Sequence, residues 1–184
     1  MSRLAIACGA VFALAAWGAG AAYAVLTPRL IFWRLESRAT HCQTASAICA
    51  PPGQFIHKRA LATPHDRAVV NPNADTLYSS AFLDLGAGPW VLHVPAMGAR
   101  YYAFQFMDAK TDVFGYASRR TMGGKPGDYL IAGPSWKGAA PDGMPVFRSD
   151  TNAVWVLARV LVDGPQDTAA VAALQDQFSL KPLP

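Results

Sequence analysis

The sequence predicts a mainly β fold, an antiparallel sandwich or open barrel, with one C-terminal packing helix and a single N-terminal transmembrane helix ahead of it. Three observations predict it. From Val69 onward, short apolar and aromatic runs alternate with turn residues. Fifteen Gly and fourteen Pro in 184 residues supply the turns that short strands need. A long uncharged stretch opens the chain. Hydrophobic residues make up 52% and charged residues 15%, which excludes disorder along most of the length. The length suits one globular domain plus an appendage.

The uncharged stretch runs from Leu4 to Leu26, LAIACGAVFALAAWGAGAAYAVL. As a helix it is about 34 Å long, enough to cross a hydrocarbon core of roughly 30 Å with modest tilt. Trp17 and Tyr23 are amphipathic aromatics, and Tyr23 sits where an interface anchor belongs. Gly9, Gly18, Gly20 and the many Ala residues permit close packing on another helix. Two readings stay open. One is an uncleaved anchor. The other is a secretory signal, with Arg3 as its basic end and Ala22-Tyr23-Ala24 as a small-residue cleavage site. The run exceeds a usual signal core and continues past Pro28 into Leu30-Ile31-Phe32-Trp33, which favours the anchor. The expected organisation is therefore 1–26 anchor or signal, 27–68 connector and 69–184 β-rich domain. Within the connector a short helix is expected near Ile31–Arg38.

The net charge of +4 is unevenly spread. Residues 1–60 carry Arg3, Arg29, Arg34, Arg38, Lys58 and Arg59 against Glu36 alone, while the remainder is nearly neutral. A nucleic-acid binder carries its positive field on the folded domain. Here the field lies beside the apolar segment, where a lipid bilayer with anionic head groups is the natural partner. Nucleic-acid binding is not expected. Counted literally, the basic residues after the span would leave the domain in the cytoplasm; the cysteines argue the other way.

Cys42 and Cys49 bracket QTASAI just beyond the apolar segment. Bridged, they close an eight-residue loop, a constraint of about 2.5 kcal/mol by loop entropy. Such a bridge needs an oxidising compartment, here the bacterial periplasm. Two free thiols in a connector are the alternative. Their spacing, with His41 beside them, fits none of the usual zinc patterns, so no metal is expected. Cys8 is a small apolar residue within the span. Localisation follows: the bacterial inner membrane, single-pass, with the domain in the periplasm, or release to the periplasm after cleavage near Ala24.

The expected strands are Thr76–Leu85, Trp90–Val94, Tyr101–Ala109, Val113–Ser118, Asp128–Ala132, Pro145–Arg148 and Ala153–Val162. Breaks such as Gly86-Ala87-Gly88-Pro89 and Gly123-Gly124-Lys125-Pro126-Gly127 separate them. The spacing near ten residues fits a sandwich or barrel. Pro165 in a first turn and an apolar stripe of Val171, Leu174 and Phe178 mark the closing helix.

Two blocks stand out: Asn71-Pro72-Asn73-Ala74-Asp75-Thr76-Leu77-Tyr78-Ser79-Ser80 with Asp84-Leu85, and Arg159 with Leu161-Val162-Asp163-Gly164-Pro165-Gln166-Asp167. In order and separation they resemble the bacterial domain-of-unknown-function family 1254 (DUF 1254), from about His57 to Leu180. The resemblance implies a β-rich domain with helical decoration and a family 1214-like companion, fused or separate. This chain reads as the short, membrane-anchored form without a companion attached. No agreed activity comes with the family.

Asn71, Asn73, Asp75 and Tyr78 are the candidate ligand-binding residues. Amides and a carboxylate match hydroxyl groups, and an aromatic face covers a sugar ring. A hydrogen-bonded turn is the plainer alternative. Arg159, amid an apolar strand, calls for a carboxylate and is read as a structural ion pair with Asp75 or Asp84. Asp108 and Asp112 flank Lys110 and could do acid–base work, but a solvated turn explains them. Arg119 and Arg120 read as an exposed basic hairpin. His41, His57, His65 and His93 show no metal or catalytic spacing, and serine hydrolase and nucleotide motifs are missing. Catalytic residues stay unassigned and no cofactor is expected. The sequence thus suggests a membrane-anchored periplasmic domain docking with a companion protein or envelope ligand. An envelope enzyme acting on a glycan or similar polyhydroxylated substrate is the alternative.

Overall fold

The computed structural model describes residues 3–46, 48–63, 65 and 73–183, and within 3–10 the backbone only. A helix α1 (Arg3–Thr40) leads the chain. It passes through Pro28 and runs on to Thr40. The short helix expected near Ile31–Arg38 is thus the second half of one long rod. Proline removes one backbone hydrogen bond there. Beyond it, Phe32 is held 2% exposed, its ring edge-on to Phe82 at 5.9 Å. The first half has no such neighbour. Val11, Phe12, Leu14, Trp17 and Tyr23 are between 65% and 80% exposed. A helix this long and apolar fits a membrane anchor or a signal sequence.

After α1 the Cys42 and Cys49 sulfurs are joined, with Cα atoms 6.2 Å apart. Then follow β1 (Ile56–His57), β2 (Thr76–Asp84), β3 (Trp90–Val94), β4 (Tyr102–Asp108) and β5 (Val113–Ser118). A one-turn helix α2 (Arg119–Met122) precedes β6 (Gly127–Ala132), β7 (Val146–Arg148) and β8 (Ala153–Leu161). A 3-10 turn at Pro165–Asp167 leads into α3 (Thr168–Gln175), and β9 (Ser179–Pro182) ends the fold.

The strands form two sheets, ordered β1-β2-β8-β4-β5 and β7-β6-β3-β9. Pairing is antiparallel except between β6 and β7. The fold is mainly β and sandwich-like, so the sandwich holds and the open barrel does not. Alternation decides which side chains go inward. On β8, Val154, Val156, Ala158 and Val160 are buried while Trp155, Leu157 and Arg159 face outward. Leu77, Leu83, Phe104, Phe106 and the β8 valines meet Leu92, Val94, Tyr129 and Ile131 of the other sheet in one core.

The closing helix is shorter than its stripe suggested. It stops at Gln175, and Phe178 enters β9 with its ring 4.8 Å from Phe104. Val171 and Gln175 are its fully buried residues. At the sandwich end, a side chain on Gly124 would fall 1.9 Å from the Gly98 carbonyl oxygen, which is why the break there needs glycine.

Candidate functional site

The two sequence blocks meet in space. β2 lies beside β8, so Tyr78 stands opposite Arg159 and Thr76 opposite Leu161. The Val162 amide donates to the Asp75 carbonyl at 2.8 Å, which continues the pairing past the strand ends. Together they form one end of the five-stranded sheet's outer face.

Asn71 lies outside the described residues. Asn73 and Asp75 are exposed at the turn. Tyr78 is half-buried, and its hydroxyl accepts from the Asn73 amide at 3.0 Å. The turn therefore uses the Tyr78 oxygen as an acceptor and leaves its proton available. Asn73, Asp75 and Tyr78 gather at one strand entrance, with the Asn73 and Asp75 side chains turned to solvent.

Arg159 does not meet the expected carboxylate. Its Nη2 donates to Gln105 Oε1 at 2.8 Å, and its Nε is buried without a partner. Among the described residues, no ion pair within 4.0 Å includes it. Register explains this. Asp84 pairs with Ala153, six residues along β8 from Arg159 and so about 20 Å away. Asp75 precedes β2 at the exposed turn. Thr76, 2% exposed, is similarly placed: its Oγ1 is buried with no hydrogen-bond partner.

The outer face of this sheet has two halves. Toward Asp84, Phe82 stacks on Trp155 at 5.8 Å under Phe32 of α1, and Trp155 Nε1 donates to Ser80 Oγ at 2.7 Å. The other half, with Tyr78, Arg159, Leu157, Gln105 and Tyr116, has no helix over it among the described residues. Tyr116 and Val113 on the edge strand β5 are 43% and 42% exposed.

Other polar groups turn out to be structural. Arg100 holds Asp167 through both guanidinium nitrogens and also donates to the Leu161 carbonyl at 2.8 Å. The hydrogen bond from Arg100, helped by the Asp163 amide, pulls the Asp167 carboxyl below its ordinary range. The last Asp of the second block thus clasps the turn to the start of β4. Asp108 is 3% exposed; its Oδ1 accepts from the Lys110 and Asp112 amides, and it organises its turn. Arg119 donates to the Ala99 carbonyl.

Two clusters escaped sequence reasoning. Inside, His57 Nδ1 lies 2.8 Å from Ser79 Oγ, and Gln175 Nε2 donates to Ser79 Oγ at 2.9 Å and to the Tyr78 carbonyl at 3.0 Å. Burial, then Arg59, push the His57 pKa down to about 4. Outside, on the four-stranded sheet, His93 pairs with Asp128 across β3 and β6, Nδ1 to Oδ1 at 2.7 Å. Ser179 stands opposite His93 on the other side, and Lys181 and Pro182 complete a depression of about 490 Å³. Outward-pointing positions were legible in the alternation; which strands would be neighbours was not.

A family model described as a protein of unknown function, DUF1254, matches residues 52–182. No curated protein matches the chain. Among solved structures, the VPA0106 protein from Vibrio parahaemolyticus is 25% identical, with a TM-score of 0.66 over 88% of this chain. A putative uncharacterized protein from Burkholderia cenocepacia is 16% identical, with a TM-score of 0.47 over 89% of this chain. This chain spans only 35% and 42% of the lengths of those two proteins. Residues 52–182 include both blocks, both sheets and the clasp between Arg100 and Asp167, and on that match the chain belongs to the DUF1254 family of proteins of unknown function.

Proposed function

We propose that this chain is a membrane-tethered domain of the bacterial envelope that docks a companion protein on the open half of its five-stranded sheet. The carrying observation is Arg159: a half-buried cation with a neutral amide for its only partner among the described residues. The exposed apolar half of α1 supports the tether. The joined Cys42 and Cys49 support a periplasmic setting, since such a bridge persists under oxidising conditions. The companion is a family 1214-like protein, as the family resemblance suggests.

A photo-reactive residue at Tyr116, in the full chain in native membranes, tests the reading against one at Lys181 on the opposite sheet. A protein adduct from position 116 and none from position 181 is the expected result. No adduct from either, with the chain extracted alone and monomeric, overturns it.

A glycan-binding or glycan-processing site is the second reading. It is favoured by the exposed Asn73 and Asp75 side chains beside Tyr78. It predicts that Asp75→Ala abolishes binding of envelope oligosaccharide while the domain stays folded. Unchanged binding removes it.

A further inference from the structure

We infer that the docked partner presents an Asp or Glu carboxylate to Arg159; this rests on the docking reading above. Arg159 sits near the end of β8, which runs between β2 and β4, so both flanks are sheet. Elsewhere Arg59 meets Asp176, Arg100 meets Asp167 and Lys110 meets Asp108. Among the described residues Arg159 has only the Gln105 amide oxygen. A cation withdrawn from water without a counter-charge is costly, and a buried donor left unpaired adds to that cost.

The groups around it share one polarity. Gln105 Oε1 is taken by Arg159, so the amide turns its two N–H donors away, and no protein acceptor meets them among the described residues. The Tyr78 oxygen already accepts from the Asn73 amide, which leaves its O–H to donate. A guanidinium, an amide N–H₂ and the Tyr78 hydroxyl call for a planar group that only accepts, and a carboxylate is that group. Leu157 stands opposite Gln105 across the β4–β8 ladder and Tyr116 opposite it across β4–β5, so apolar and aromatic side chains flank this centre. An Arg beside such side chains on an outer sheet face matches a protein interface.

Carbodiimide coupling tests the inference directly. Arg159→Lys keeps the charge and supplies an amine that the reagent joins to a carboxylate in contact. In native membranes, an isopeptide adduct between position 159 and an Asp or Glu of another protein is expected, and it should be lost in Arg159→Gln. The photo-adduct from position 116 should fall at least about tenfold in Arg159→Gln. If position 116 still captures a partner while position 159 yields no coupling, the carboxylate is refuted and docking survives. If neither reports a partner, both fail. Coupling to an acidic sugar, or to a second copy of this chain, overturns the companion carboxylate. Should the Arg159 variants not fold, Gln105→Met serves instead. It leaves the guanidinium in place but unoriented, and unchanged capture from position 116 counts against the inference.

Discussion

On the outer face of the four-stranded sheet, His93 meets Asp128 on the neighbouring strand at 2.7 Å. On the outer face of the five-stranded sheet, Arg159 looks across to Tyr78 on one side and Ala103 on the other and finds no acid. Both faces are built from the same alternation, and both expose polar groups that the core cannot take. The difference is where the acid lies. On the first face the neighbouring strand places Asp128 beside His93; on the second, the register puts Asp84 at the far end of the strand. Arg159 is thus a half-buried cation with no acid among the described residues, and α1 already shows how the neighbouring half of that same face is closed.

The largest effect expected from breaking this contrast is at the helix. Phe32 packs edge-on against Phe82, which itself stacks on Trp155, so Phe32→Ala removes the plug from the closed half. Truncating a buried Phe costs about 3 kcal/mol at the low end of such changes. If that loss falls on helix docking, exchange of the amides of residues 29–40 in the detergent-solubilised chain should quicken by roughly a hundredfold. Equal exchange in both proteins would mean that Phe32 does not hold the helix down, and that the two halves of the face are equally open.

How much of this was legible depends on whether the signal was local. Trp90–Val94 and Val113–Ser118 are strands with the predicted bounds, because a short apolar-aromatic run between sharp breaks is read within five or six residues. β1 is two residues long and shows no period. β9 was hidden because Phe178 keeps helical spacing with Val171 and Leu174 although the chain has already left the helix. The apolar run to Leu26 and the short helix expected near Ile31–Arg38 read as separate pieces, yet α1 joins them through Pro28. The site was legible as residues and not as partners. Tyr78 and Arg159 stood out, but their juxtaposition needs β8 inserted between β2 and β4, a pairing across some eighty residues that no local pattern encodes.

A middle-sized effect lies in the pH dependence that His57 gives the fold. His57 is held neutral down to about pH 4 by burial and by Arg59, whereas in the unfolded chain it takes a proton near 6.5. Between those values the unfolded state binds more protons, so stability is full above about pH 6.5 and declines as pH falls toward 4. The loss is on the order of 1–2 kcal/mol, the shift being discounted because His57 keeps partial contact with water. Urea midpoints at pH 7 and pH 4.5 measure it. His57→Asn should flatten this slope; a slope unchanged by that substitution would put the acid-sensitive group elsewhere in the fold.

The smallest effect bears most directly on the difference between the faces. Removing one member of a hydrogen-bonded pair costs stability, because the partner is stranded; removing a charge that has no counter-charge relieves a cost. Arg159→Met keeps the length of the side chain and its packing on the sheet. The unbound domain should therefore unfold within about 1 kcal/mol of the unaltered one, on the stabilising side. His93→Ala breaks an exposed pair and should cost no more than about 1 kcal/mol, on the destabilising side. The opposite signs, read from urea midpoints of the two variants, matter more than the sizes. Were Arg159→Met to destabilise by more than about 2 kcal/mol, its single bond to Gln105 would be holding the sheet together. The cation would then belong to the fold as His93 does, and the five-stranded sheet would have no unanswered charge to offer a partner.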